Sequence, residues 1–299
     1  MDTYAKTNTK TRLLGYMINV YRATPLYPHL SRPGCKMLGL FNNWLKKGGL
    51  REHDLGRFKI NIDLCQFIDS KIYYFGAYEP ETVLTIEKLV RPGDVALDVG
   101  ANIGYITMNL ALAVGESGKV VAFEPSAWAF DRLKQNVRLN DMHQVESHCV
   151  AVGDIAQKGV KLMLPCGYRL DQRDTAIEQV IDIWTLDDYV TDSGIEKLDF
   201  LKIDTDGMEA AIIRGARRTL ERFRPKIFFE LGPGGLKQKG ESSDDLLRSF
   251  SRLGYSFFQP GSLKPFDHIE QMVGKLTGTQ TINVVALADH DSSGPEEVD

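Results

Sequence analysis

The chain predicts an α/β protein in which a mainly parallel sheet is covered by helices on both faces, and three observations predict it. From about residue 93, short apolar runs alternate with stretches of helical periodicity, the pattern left by strands that return through crossover helices. The first run ends in DVGANIG, residues 98–104, where two glycines four positions apart separate strand from helix. The second run ends on an acid, Glu124, 20 residues beyond Gly104.

Each element follows in order. Val95 to Val99 reads as a buried strand, and Ile103, Ile106, Leu110, Ala113 and Val114 mark the apolar face of the helix after it. KVVAFEP is the second strand. Ser126 is a fair N-cap for the next helix, whose buried stripe is Phe130, Leu133 and Val137. VESHCVAVGD reads as a third strand, and residues 155–190, with KLMLP and IDIWTLDDYV, read as short strands or a hairpin. LDFLKID, residues 198–204, is the fourth strand, and GMEAAIIRGARRTLERF reads as one helix with Ile212, Ala216, Leu220 and Phe223 on one face. PKIFFELG is the fifth strand. GYSFFQ and TINVVALA give two late strands that can close one sheet edge as an antiparallel pair. Residues 1–90 are mixed and are expected to form an N-terminal extension or cap over the ligand edge, while the acidic, Gly- and Pro-containing end, residues 291–299, reads as a flexible tail.

Composition narrows the classes. A net charge of -4 over 299 residues argues against a protein that coats nucleic acid, which needs clustered Lys and Arg. Cys35, Cys65, Cys149 and Cys166 have no C-x-x-C or Cys/His spacing, so neither a zinc site nor a disulfide framework is expected, and a reducing compartment is the default. No apolar stretch approaches the ~20 residues of a membrane span, and the first dozen residues lack the apolar core of a secretory signal. The expectation is a cytoplasmic protein with no membrane span.

The glycine turn suggests the chemistry. In open α/β sheets ligands sit beyond the carboxyl ends of the strands, and the first strand-to-helix turn is the usual contact. Gly100 is expected to let backbone approach a ligand, and Gly104 to let the helix start pack closely. A hydride-transferring enzyme shows G-x-G-x-x-G here, whereas this chain has Asn102 where the middle glycine falls. Asp98 just ahead of the turn suits a cationic ligand better than a diphosphate. Glu124 stands where a carboxylate accepts two hydrogen bonds from a ribose diol. Asp154, past the third strand, is placed to approach an adenine edge, with Val152 to pack on its face. Singly, the glycines read as ordinary turn residues and Glu124 as a solvated strand-end charge; in this order and spacing they point to S-adenosylmethionine.

At these residues the chain resembles the FkbM family of S-adenosylmethionine-dependent methyltransferases, over about residues 60–235. The resemblance is carried by YYFGAYEPET leading into RPGDVALDVGANIGY, by VVAFEP, and by LDFLKIDTDGMEAAIIRGA. The last is similar to the family signature L-K-I-D-x-E-G-x-E, with Asp206 where the family usually has Glu. The resemblance implies a Rossmann-like seven-stranded methyltransferase sheet, a methyltransferase domain over residues 91–290, a cofactor site at the first three strand ends, and O-methylation of a hydroxyl on a small molecule or a sugar. Cofactor contacts are then expected from Glu79, Asp98, Gly100, Asn102, Gly104, Glu124 and Asp154. Tyr74, Phe75 and Tyr78, in an aromatic cluster that alone would read as core, are expected to form a lid.

A hydroxyl acceptor has to lose its proton, and Asp204, ending the fourth strand, is the leading base, with Glu230 ending the strand next door. Lys202 alternates to the same side as Asp204 and can be its ion-pair partner. Glu209 is the weaker candidate, because an acid in a helix's first turn is favoured by the dipole regardless of function. Two carboxylates on adjacent strand ends are compatible with a divalent cation, but do not define a ligand set, and none is expected. Two other classes remain open at this point: a catalytically inactive regulatory protein that binds adenosylmethionine, and a nicotinamide-dependent oxidoreductase, disfavoured by the missing glycine.

Overall fold

The computed structural model describes residues 49–169 and 176–288. The acidic tail, Cys35 and most of the N-terminal extension lie outside the described residues. The segment before residue 91 contributes the hairpin β1 (Arg51–Asp54) and β2 (Lys59–Ile62), then α1 (Phe67–Phe75) and α2 (Pro80–Leu89).

The α/β fold is Rossmann-like, built on a mixed sheet of seven strands in the order β11-β12-β10-β9-β3-β4-β5. Its parallel centre is β3 (Val95–Val99), β4 (Lys119–Phe123), β5 (Val145–His148), β9 (Phe200–Ile203) and β10 (Lys226–Leu231). β11 (Tyr255–Phe258) and β12 (Ile282–Ala288) close one edge as the antiparallel pair the sequence suggests. These strands are near-continuous apolar runs because helices bury both their faces.

Strand alternation distributes the side chains between two layers. Leu97, Val99, Val121, Phe123, Leu201, Ile203 and Phe229 share one core with Ile212, Leu220 and Phe250. Ala96, Val120, Phe200 and Phe228 face the opposite core, which contains Ile103 of the glycine turn and Met108 and Leu110 of α3 (Tyr105–Val114). Phe58, Ile60, Ile62, Ile72, Val83 and Ile86 belong to this same core, so the described part of the N-terminal segment is packed into the sheet's helical layer. A buried ion pair adds to that contact: the Arg132 guanidinium, on α4 (Ala127–Leu139), donates to both carboxylate oxygens of Asp69 and to the Asn61 carbonyl.

Three local readings change. VESHCVAVGD is not one strand: β5 ends at His148, and β6 (Ala151–Val152) joins a separate sheet with β8 (Ala176–Trp184) and β7 (Gln157–Pro165). KLMLP and IDIW are the two arms of that β7–β8 hairpin, whereas LDDYV opens α5 (Leu186–Asp192). The helix read over 207–223 divides into α6 (Glu209–Arg214) and α7 (Arg217–Phe223). Its break falls at Gly215, where an added Cβ would lie 2.1 Å from the Gly153 carbonyl oxygen. Position 215 requires glycine because the backbone after β6 comes too close for a side chain. Among the described residues no helix is long and apolar enough to cross a membrane.

Candidate active site

Register places the site. Phe229 pairs with Ile203, Ile203 with Val99, and Val99 with Phe123. The next residue on each strand is therefore Glu230, Asp204, Gly100 and Glu124, side by side across four parallel strand ends. The chain runs outward to β4 and β5 on one side of β3 and to β9 and β10 on the other, so this row lies at the topological switch point where open sheets bind ligands.

A cavity of about 880 Å³ opens above the row. Its floor is the glycine turn, residues 100–103, with Glu124, Asp204 and Glu230. Val150, Ala151 and Val152 form one wall, the hairpin residues Leu162 to Pro165 another, and Phe67, Ile68, Tyr78 and Glu79 close the side nearest the N-terminal segment. Its volume is in the range that small-molecule sites occupy.

The expected residues divide. Glu79, Gly100, Asn102, Glu124, Asp204, Glu230 and Tyr78 all line this cavity. Asp98, Gly104, Asp154, Tyr74 and Phe75 are absent from its lining. Asp98 is fully buried beneath the turn, accepting from Thr107 Oγ1 at 2.6 Å and ion-paired with Lys202 Nζ at 3.2 Å, so its cationic partner is internal. Gly104 packs against α4, where a Cβ would lie 2.5 Å from Leu133 Cδ1, as its helix-packing reading requires. Asp154 is drawn outward by Arg214, whose guanidinium donates to it at 2.9 and 3.1 Å. Tyr74 is core, stacked edge-on to Tyr73, and Phe75 stands beside it at the end of α1. Of that trio only Tyr78 lines the cavity.

Gly100 also makes a close contact within the backbone. At φ 79°, an added Cβ would lie 1.8 Å from the carbonyl oxygen of Asp204. The missing side chain lets two strand ends meet on the cavity floor. Lys202 holds the same junction: it is 2% exposed, its Nζ donates to the Gly100 carbonyl at 2.9 Å, and Asp204 Oδ2 lies 3.5 Å away. Burial alone would pull this lysine down, but the carboxylates of Asp98, Asp204 and Glu79 raise it, so it stays charged.

Glu124 accepts from the Asn102 backbone N–H through Oε2 and from the Ser126 N–H through Oε1, both at 2.8 Å. Each oxygen keeps a further lone pair, the capacity a diol requires. Burial pushes this carboxyl up to about 7 despite those two N–H groups. Asn102 holds a left-handed φ of 50°, and its Oδ1 accepts from the Ile103 N–H at 2.8 Å, which locks the turn.

The other side of the floor is acidic. Burial, then repulsion from Asp204, raises Glu79 and Asp206 and lifts Glu230 to about 8. The Tyr78 hydroxyl is raised well above its ordinary value, first by burial and then by Glu79 and Asp204, and it hydrogen-bonds to Glu79. Against these acids the lining offers Lys202, already engaged, and Lys239. Such a field favours a ligand carrying positive charge. The cavity suits adenosylmethionine on its donor set: a diol acceptor at Glu124, apolar Phe123, Val150 and Val152 beside it for a flat base, and acids toward a sulfonium and an ammonium. Among the described residues no group of three or more His, Cys, Asp or Glu is placed to hold a metal ion.

Sequence reasoning missed the hairpin wall, Lys239 and Phe67. Their segments have no motif, and only the strand periodicity of KLMLP pointed toward the hairpin. It also undervalued Glu209, which is 1% exposed and bonded to the loop that carries Asp204 and Asp206.

Fold and site together define a Rossmann-like methyltransferase. Residues 98–257 match the family model described as the methyltransferase FkbM domain. That is more than half of the chain, and the protein belongs to the FkbM methyltransferase family. No curated protein matches it. Similar solved structures include the methyltransferase FkbM of Methylobacillus flagellatus KT, at 15% identity and TM-score 0.42, covering 89% of this chain and 62% of that one. A SAM-dependent O-methyltransferase from Thermotoga maritima has 16% identity and TM-score 0.41, with 83% and 80% covered. Aeropyrum pernix fibrillarin, solved with natively bound S-adenosyl-L-methionine, has 13% identity and TM-score 0.40, with 69% and 73% covered.

Proposed function

We propose that this enzyme transfers a methyl group from S-adenosylmethionine to a hydroxyl of a small molecule or carbohydrate. The observation that supports this reading most is the convergence of the glycine turn, Glu124 and the acids Glu79, Asp204 and Glu230 on one cavity.

The bound cofactor supplies an activated methyl on a positively charged sulfur. Glu124 would hold the ribose, Val152 would pack on the base, and Glu79 would pair with the amino group. Transfer is an in-line displacement, so orientation contributes most: aligned reactants gain about 7–11 kcal/mol. A positioned base adds roughly 10²–10⁴-fold, the smaller share. With Glu230 raised to about 8 it carries its proton near neutral pH, so Asp204 is the group that accepts the hydroxyl proton while Glu230 hydrogen-bonds to the acceptor. The described part of the N-terminal segment supplies Tyr78 and Glu79 to the wall and shields the reacting atoms from water.

Calorimetry with S-adenosylmethionine tests the cofactor assignment. Glu124→Ala is expected to weaken binding at least ~30-fold, since a buried carboxylate bonded to hydroxyls contributes about 1.5–3 kcal/mol for each bond; unchanged affinity rejects the ribose contact. Incubation with methyl-labelled cofactor and an extract then identifies the acceptor, and the absence of labelled product from any acceptor pool would favour a regulatory binding protein.

A further inference from the structure

We infer that Glu209 is a positioning residue: through the loop it folds, it aims the acids of residues 204–206 at the charged sulfur of the cofactor. The inference rests on the proposed binding of S-adenosylmethionine in this cavity.

The loop between β9 and α6 cannot hold itself. Asp206 sits at a left-handed φ of 54° and Gly207 at 106°, a backbone region that is unfavourable for a non-glycine residue unless the surroundings fix it. The fixing group is one carboxylate oxygen. Glu209 Oε1 accepts from the Thr205 N–H at 3.1 Å, the Thr205 hydroxyl at 2.9 Å and the Gly207 N–H at 3.2 Å. The three donors bracket Asp206 on both sides, so the backbone between them has no freedom to turn that side chain out of the cavity. On its far side the loop abuts the residues after β10: an added Cβ on Gly207 would lie 2.5 Å from the Gly235 carbonyl carbon.

The second oxygen of Glu209 shows that the side chain is not placed for its own solvation. Oε2 is fully buried and has no hydrogen-bond partner among the described residues. An orphaned buried oxygen is unfavourable, and this one is retained beside the cavity. Asp204, Asp206 and Glu230 line the cavity while Glu209 does not, so its influence on a ligand passes through the loop. That separates it from the helix-dipole role an acid in a first turn has by default.

S-adenosylmethionine and S-adenosylhomocysteine share every contact except the methyl group and the charge on sulfur, so the ratio of their affinities reads how well the acids are aimed. A merely structural residue lowers both affinities together and leaves the ratio alone. Both ligands are titrated by calorimetry into wild type, Glu209→Ala and Glu209→Gln, with thermal unfolding followed in parallel. Glu209→Ala is expected to reduce the preference for the charged ligand about tenfold. Glu209→Gln, which keeps an acceptor oxygen for Thr205 and Gly207, is expected to restore the ratio to within about twofold of wild type. If Glu209→Ala leaves the ratio unchanged, or the two variants lose it equally, the positioning role is wrong. If wild type binds neither ligand, the cofactor reading fails instead. A Glu209→Ala protein that does not fold leaves the decision with Glu209→Gln, where a tenfold loss overturns the inference and retention supports it.

Discussion

Two buried ion pairs in this molecule look alike and serve different ends. Asp69 and Arg132 are each almost fully buried, and Arg132 also donates to the Asn61 carbonyl and lies 5.2 Å from the Trp128 ring centre. Asp69 in turn accepts from the Asp63 N–H at 2.7 Å. Every one of these partners is in the N-terminal segment or on α4, and none is itself in the cavity lining, although Phe67 and Ile68 of the same helix as Asp69 are. Asp98 and Lys202 are buried as deeply, but Lys202 also reaches the Gly100 carbonyl and Asp204, both of which line the cavity. The first pair fastens a segment and the second fastens the two halves of a binding site, so burial alone does not say what a charge pair is for.

The largest expected effect comes from the first pair. Removing one partner of a buried pair leaves a stranded charge, so Arg132→Ala is expected to lower unfolding stability by about 3–5 kcal/mol, read from urea denaturation. Its folded fraction should bind S-adenosylhomocysteine within twofold of wild type; a tenfold change would erase the contrast drawn above.

Lys202→Met is expected to destabilise somewhat less, by about 2–4 kcal/mol, because Met keeps an apolar stem in the buried space, whereas Arg132→Ala leaves its space empty. Unlike Arg132→Ala, it should weaken S-adenosylhomocysteine binding more than tenfold, since the glycine turn loses its anchor. Adding Asp98→Asn should recover stability without recovering binding. Recovery of both would mean that Lys202 only neutralises Asp98.

The smallest effect sharpens the electrostatic side. Glu230 holds its proton up to about pH 8 in the folded state, against an ordinary value of 4.5. Between those values the unfolded chain has released that proton and the folded chain has not, so this group's contribution falls as pH rises from about 4.5 and levels off above about 8. Glu230→Gln escapes that loss. It should be as stable as wild type near pH 4.5 and more stable by about 1 kcal/mol at pH 8, after discounting for partial exposure. Equal melting temperatures across that range would show that burial and the neighbouring acids together do not hold the Glu230 proton.

Much of the frame was legible from the chain. Buried parallel strands leave uninterrupted apolar runs, and a glycine turn followed by Glu124 marks the first two strand ends without reference to any partner. Legibility ended where a partner decided the outcome. Nothing within VESHCVAVGD announces that pairing passes from β4 to β8 after His148, because a ladder is defined by both strands. Gly215 looks like a tolerated helix glycine until the Gly153 carbonyl is seen beside it. Asp154 was placed well along the chain, yet Arg214 at the end of α6 pairs with its side chain outside the cavity lining. Glu209 carried two explanations, dipole and loop, and only the three donors converging on Oε1 separate them.

The meeting of Gly100 with the Asp204 carbonyl has one more implication, for how this lineage can diverge. The space there does not admit even a methyl group, so position 100 has no stepwise route to another amino acid while the opposite backbone stays where it is. Relatives that differ at this position must have re-routed the chain after the fourth central strand as well. Joint departures at these two places, traced along a phylogeny, would mark branches whose catalytic pocket was rebuilt rather than adjusted.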